Sequence, residues 1–420
     1  MSTLAETSSG PIVINGVPLR EQLSKAEHKK KMTALFLVAP LLIFIVITFI
    51  VPIGNMLWRS VDNPRMVSLM PHLVEALNEW DGKELPPESL FQTAFEEIKK
   101  NIETNDIGKV ATHVNYNLAG ARSLFVKSKR KFKKITAPPY REQMIAADKR
   151  WGEIKTWQII KAVSVPITGA YFLNAVDKTL NAEGEIVNQP ESKRIYVTLF
   201  IRTLWVSTLV TLLTLIIGYP IAYLISTTPP RISNLLIIMV LLPFWTSLLV
   251  RTTSWIVLLQ TQGVLNDMMV WIGVVSEEGR IQMIYNLNGT LVAMTQILLP
   301  FMVLPMYSVM KTIPLSQLRA SQSLGANPFR TFFKIFWPQS IPGIGAGGLL
   351  VFVLSVGYYI TPALVGGSSG QMISNQIAFH MRNSLNWGLA ASLGTIMLVG
   401  VLLLYWLYDR VVGIDNMKLG

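Results

Sequence analysis

Six stretches of twenty or more predominantly apolar residues dictate most of what this chain can become: Thr33 to Leu57, Thr198 to Ile225, Ile232 to Leu259, Leu291 to Met310, Ile341 to Val365 and Leu385 to Tyr408. Crossing a hydrocarbon core of about 30 Å takes roughly 20 apolar residues in helix, because a helix satisfies its own backbone where water is absent. The expected fold class is an all-α integral membrane protein with six transmembrane helices. None of the six windows holds an Asp or a Glu.

The rest of the composition fits that class. Of 420 residues 51% are hydrophobic and 15% charged, and the mean hydropathy is +0.42. The net charge of +12 does not require a nucleic-acid partner, since cytoplasmic loops of membrane proteins collect Lys and Arg. With no cysteine at all, disulfides, thiolate catalysis and Cys-ligated metals are excluded. The polar residues 1–32 end in Lys29-Lys30-Lys31 and run into the first window, residues 33–57. That window is longer than a secretory h-region and has no small-residue cleavage site, so it reads as a retained signal-anchor helix.

Orientation follows from the basic residues of the short loops. With the first terminus cytoplasmic, the inner segments hold Arg20, Lys25, Lys29, Lys30, Lys31, Arg231, Lys311, Arg319, Arg330, Lys334, Arg410 and Lys418, and the short outer loops only Arg280 and Arg382, twelve against two. Both termini, residues 1–32 and 410–420, are then expected inside. Residues 58–197 become one external insertion, too long for structureless chain. Apolar residues at helical spacing in Leu90 to Ile102 and Gln143 to Val163 predict a small helical domain there. Its most basic run, Lys127 to Lys134, reads first as a solvated face or lipid-headgroup contact.

Between the fourth and fifth windows lies an inner loop, residues 311–340, with clear punctuation. Leu315 to Leu324 reads as a helix stopped by Gly325, a residue that tolerates positive φ. Asn327 caps a second helix with Pro328 at its first position, and Pro338 is expected to end the run Phe329 to Trp337.

Here the chain resembles the membrane subunits of bacterial ABC importers. Those place in this loop Glu-Ala-Ala, a Gly after three further residues, and Ile-x-Leu-Pro nine residues on. This chain has Arg319-Ala320-Ser321, Leu324 and Gly325, then Ile335-Phe336-Trp337-Pro338 at the same spacing. Gly, Ile, Pro and the central Ala match; Arg stands for Glu, Ser for the last Ala and Trp for Leu. The resemblance implies the type I ABC importer permease fold over residues 198–409, with a helical periplasmic insertion between helices 1 and 2. It also implies a bacterial inner-membrane location and a coupling loop made of Arg319, Ala320, Ser321, Leu324, Gly325, Ile335 and Pro338. Implied partners are a cytoplasmic ABC ATPase dimer, a second permease subunit, a periplasmic solute-binding protein and membrane lipids.

Leu241 to Thr252 and Gly357 to Gly367 resemble the spermidine/putrescine branch of these permeases. Pro243, Pro300, Pro305 and Pro362 are expected to break helices inside the bilayer, which is tolerated where protein or a water-filled cavity takes up the freed backbone groups. Pathway candidates are Trp245, Thr246, Ser247, Gln296, Tyr358, Tyr359 and Thr361; their aromatic faces attract ammonium groups. Arg251 has the length to snorkel to the external interface instead. A dication would meet no full countercharge in the spans, which places selectivity in an external binding protein. The windows lack the carboxylates and histidines that ion-coupled carriers use, and the chain lacks a Gly-x-x-x-x-Gly-Lys-Ser/Thr phosphate loop, so energy must come from a partner. Alternatives are a permease for another small solute (an amino-acid derivative, an opine, a metal or an anion), a secondary transporter, or a polytopic membrane enzyme. The four histidines, His28, His72, His113 and His380, form no catalytic motif, and no cofactor or metal is called for.

Overall fold

A computed structural model describes residues 13–14, 17–116, 118, 120–181 and 185–412. Parts of both expected tails, residues 1–12 and 413–420, lie outside the described residues. Two units divide between residues 58 and 59. In the first, a helix Leu19–Ile45 continues through a π turn, Val46–Ile50, into residues 51–58. Its apolar side chains, Phe36, Leu37, Phe44 and Phe49 among them, are exposed within that unit, as suits contact with hydrocarbon.

In the second unit the spans are Tyr196–Thr227, Leu287–Thr312, Pro328–Gly357 and Trp387–Arg410, plus the pair Pro230–Trp245 and Leu248–Trp271, which bends by 96°. The helices beginning at Tyr196, Leu287 and Trp337 pack together through Val206, Val210, Met302, Val303, Met306 and Val351. Close approach comes from small residues: a Cβ on Gly347 would stand 2.9 Å from the Met302 carbonyl oxygen, and one on Gly343 would stand 3.0 Å from the Met306 Cα.

Proline placement bears out the expected break at Pro243 and corrects the expectations for Pro300, Pro305 and Pro338. The third window, Ile232 to Leu259, is not one helix: it gives way at Leu242–Trp245, a 3-10 turn containing Pro243, and restarts at Leu248. Pro300 and Pro305 lie inside the unbroken helix Leu287–Thr312, held by helices on either side. Pro338 does not end its helix. The π turn Phe332–Phe336 precedes it, with Trp337 N–H donating to Phe332 O, and the helix runs on to Gly357. The widened turn makes room for the proline ring where an α-turn would clash at the fourth carbonyl back. Pro52 sits at the same spacing after the π turn Val46–Ile50.

Residues 64–163 fold as short helices around an aromatic core. Trp151 and Trp157 stand 5.4 Å apart, Phe91 meets Trp157 at 4.6 Å and Phe125 meets Trp151 at 5.6 Å. Both indole N–H groups are satisfied, Trp151 by Ser128 Oγ and Trp157 by the Trp151 carbonyl, as buried tryptophans require. The expected Leu90 to Ile102 helix is Glu88–Glu103. Gln143 to Val163 divides into the end of Tyr140–Ala147, a 3-10 turn Lys149–Gly152 and Ile154–Ala162. Asp148 makes the division: its carboxylate accepts from the Arg150 backbone and guanidinium, and this pairing holds it down to about 2.

Candidate functional site

Three places combine exposure, irregular backbone and the residues singled out by sequence. The first is the elbow between the fourth and fifth spans. Leu315–Ser323 is a helix with no buried residue. It stops in a double closure: Gly325 N–H donates to Gln322 O and Ala326 N–H to Ser321 O, with Gly325 at φ 89°. Such a Schellman turn wants glycine for its conformation alone, since no atom lies within 4 Å of where a Cβ would be. Asn327 then caps the next helix, its Oδ1 accepting from Arg330 N at 2.8 Å, with Pro328 at the first position. Ser321 and Thr331 join the two arms through their hydroxyls at 3.1 Å, and Gln339 donates to Gln317 Oε1 at 2.9 Å.

The corner is therefore stiff, and its tip is apolar and bare: Leu324 is 89% exposed and Phe329 70%. Arg319 and Ala320 are also exposed, Ser321 and Ile335 half-buried, and Pro338 exposed. Arg330 and Lys334 add positive charge on the following helix, so the elbow presents grease ringed by cations.

The second place is the break in the third span. Trp245 is 78% exposed. Thr246 Oγ1 donates to the Pro243 carbonyl at 2.8 Å, and Ser247 caps the restarted helix by accepting from Val250 N at 3.2 Å. Arg251 lies in that helix's first turn, and its buried Nε has no hydrogen-bond partner among the described residues. Thr252 reaches Thr361 Oγ1 at 3.4 Å, and Trp255 donates to Gln296 Oε1 at 3.1 Å. Thus Thr361 and Gln296 are gathered against the broken span, while Ser247 and Thr246 are occupied in holding the break.

The third place is the interruption after Gly357, where the helix stops and restarts at Ile360–Val365. Pro362 lacks the N–H that would answer the Tyr358 carbonyl in a continuous helix. Donors come from a bridging helix, Ile373–Arg382: Ser374 Oγ donates to Tyr358 O at 2.6 Å and Asn375 Nδ2 to Tyr359 O at 2.8 Å. Arg382 donates to the Tyr359 hydroxyl at 3.1 Å and lies 5.7 Å from its ring centroid. Sequence reasoning missed Ser374, Asn375 and Arg382. The available signal was Pro362 itself, because a buried carbonyl orphaned by proline must find a donor elsewhere.

The bridging helix is tied in turn to the second span. Tyr196 Oη and His380 Nε2 are 2.9 Å apart, and His380 Nδ1 lies 2.8 Å from Ser384 Oγ. Burial holds this imidazole down to about 4, so it is neutral at pH 7 and its two nitrogens divide between donating and accepting. The carboxylate of Asp177 accepts from Ile195, Tyr196 and Val197 N–H groups, completing the start of the second span.

Comparison with known proteins falls on this half of the chain. Residues 212–412 match the profile of the family described as binding-protein-dependent transport system inner membrane component. The spermidine/putrescine transport system permease protein PotB of Salmonella typhimurium (strain SL1344) is 34% identical over 219 residues, 51% of this chain and 76% of the relative. Its namesake from Escherichia coli (strain K12) is 33% identical, covering 51% and 79%. That of Haemophilus influenzae is 35% identical over 229 residues, covering 53% and 78%.

Proposed function

Because the chain belongs to the binding-protein-dependent transport system inner membrane component family, we propose that it forms half of the pathway of an ATP-driven polyamine importer. The second half is a related permease, the motor a pair of cytoplasmic ATPases, and the cargo arrives on a periplasmic binding protein. Both termini and the elbow lie in the cytoplasm, and residues 58–197 outside.

The elbow carries this reading. A bare apolar tip on a rigid, doubly closed corner is what a mechanical contact with a moving partner needs, since a floppy loop would absorb the stroke. Leu324 and Phe329 would enter a cleft of the ATPase, with Ala320 and Ser321 permitting close approach. Arg319, in place of the usual Glu, selects an acidic or carbonyl-lined partner surface.

For the pathway, the reading assigns Trp245, Thr246, Ser247, Gln296, Tyr358, Tyr359 and Thr361 to its wall near the two breaks. Irregular backbone inside a bilayer is supportable only where protein or water serves the freed groups. An amine with several ammonium groups finds aromatic faces and carbonyl oxygens there, but no carboxylate. Discrimination then belongs to the binding protein, and the pathway only needs to let the cargo go.

The test is co-purification of the ATPase with the permease and uptake of radiolabelled spermidine by the complete complex. Phe329→Asp, which places a carboxylate on the elbow tip, is expected to abolish both while leaving membrane insertion intact. Normal ATPase association by that variant would overturn the coupling assignment, as would a periplasmic location for a reporter fused at Ser316. Uptake of a sugar or an anion in place of spermidine would end the polyamine assignment.

A further inference from the structure

We propose that the insertion controls the interruption at Tyr358 and Tyr359, with Arg65 and Tyr116 as positioning residues that act through the bridging helix. This rests on the reading that the interruption borders the pathway. Both residues lie in the insertion, and both reach across to one turn of the span bundle. Arg65 Nη2 donates to the Leu385 carbonyl at 2.6 Å, and Tyr116 Oη donates to the Ser384 carbonyl at 3.1 Å.

That turn is strained. Leu385 has φ 54° while its side chain is exposed, a backbone state that a leucine holds only where its surroundings impose it. Its two neighbouring carbonyls are the ones the insertion grips. Tyr171 gives the insertion a second footing on the same segment, packed so closely on Gly388 that a Cβ there would collide with the ring. The insertion therefore has a pivot at Gly388 and a grip at Ser384 and Leu385.

The turn is also the end of a lever. Asn383 N–H and Ser384 N–H both donate to Phe379 O, so the turn is fused to the last turn of the helix Ile373–Arg382. The far end of that helix holds the interruption through Ser374 and Asn375, and its near end holds Tyr359 through Arg382. A helix of this length spans about 15 Å and moves as a rigid rod. Releasing the grip lets Leu385 relax to an ordinary φ, which turns the rod and withdraws the Ser374 donor from the Tyr358 carbonyl and the Asn375 donor from the Tyr359 carbonyl, leaving the latter with Ala363 N–H alone. Displacement of the insertion by a docking protein would thus be delivered to the pathway without touching it.

The absence of native cysteine makes the test direct. In the complete importer, a reporter Ala363→Cys just beyond the interruption is labelled with a charged, membrane-impermeant maleimide, and Lys127→Cys on the insertion serves as control. Combining Arg65→Gln with Tyr116→Phe is expected to raise labelling at 363 about tenfold, the shift that two lost hydrogen bonds support, with labelling at 127 unchanged. Arg65→Lys, which keeps a donor, is expected to stay within about twofold of the parent. Tyr116→Phe alone removes one oxygen from a half-buried ring without disturbing packing, and should give about threefold. Unchanged labelling at 363 in Tyr116→Phe and in the double variant would overturn the proposal. Spermidine uptake measured in parallel separates the two readings: responsive labelling without uptake refutes the polyamine importer and keeps the lever, whereas uptake with unresponsive labelling refutes the lever.

Discussion

The insertion and the span bundle of one chain solve the same packing problem in two solvents. In the insertion the large residues face inward: Trp151, Trp157, Phe91, Phe125 and Phe132 are all nearly inaccessible, while Lys127, Arg130, Lys133 and Lys134 face out. In the bundle the large residues face outward, Ile216, Trp205 and Leu403 among them, and the helix contacts are made at Gly343, Gly347 and the methionines. Water drives aromatic side chains into a core, but lipid tails are as apolar as leucine and give no such drive. Helices in a bilayer gain instead from close backbone approach and filled contacts. The basic run on the insertion is thus the outer face of a water-type domain.

The largest expected effect breaks the insertion side of this contrast. Trp151→Ala empties the centre of its core and should cost about 3–5 kcal/mol, seen as rapid proteolysis between residues 64 and 163 with the span fragments still protected. Bundle stability is tested next by Gly347→Leu, which drives a side chain against the Met302 backbone and should cost about 2–3 kcal/mol in thermal unfolding of the detergent-solubilised protein. Gly348→Ala one position on meets only Thr211 Cγ2 at 3.8 Å and should be neutral, which sharpens the point that contact geometry, not glycine content, sets the cost.

Acid should separate the regions as well. His113 is buried in the insertion beside Arg65, with Nε2 3.3 Å from the Val163 carbonyl, and burial first, then the Arg65 charge, hold it down to about 4. The unfolded chain takes up a proton near pH 6.5 that the folded insertion refuses. Its stability is therefore full above about pH 6.5 and falls by about 3 kcal/mol on the way to pH 4. Proteolysis of the insertion across that window checks this, and His113→Gln should flatten the slope. Smallest is Leu385→Gly, which relieves the left-handed leucine at the boundary of the two regions and should raise the melting temperature by the equivalent of about 1 kcal/mol. An unchanged or lowered value would mean the turn is not strained.

Much of this was legible beforehand. The six apolar windows, the elbow with Gly325 as its stop and Asn327 with Pro328 as its restart, and the helical character of the insertion all follow from local rules: period, length, caps. What local rules handled badly were the prolines. Pro243, Pro300, Pro305, Pro338 and Pro362 look alike in sequence, yet Pro243 and Pro362 sit at interruptions and the other three lie inside helix. The outcome depends on neighbours: a π turn rescues Pro338, packed helices flank Pro300 and Pro305, and Ser374 and Asn375 take over what Pro362 cannot offer.

By itself, then, the sequence determined which segments enter the membrane and where the elbow turns, because hydrophobic length, capping and glycine conformation act within a few residues. Tertiary structure alone decided which carbonyl each distant donor would satisfy. Arg65 and Leu385, or Tyr116 and Ser384, are separated by hundreds of positions and share no pattern that periodicity could reveal. Only the folded chain brings a guanidinium to the carbonyl of a left-handed leucine, where its hydrogen bond can hold a turn in place.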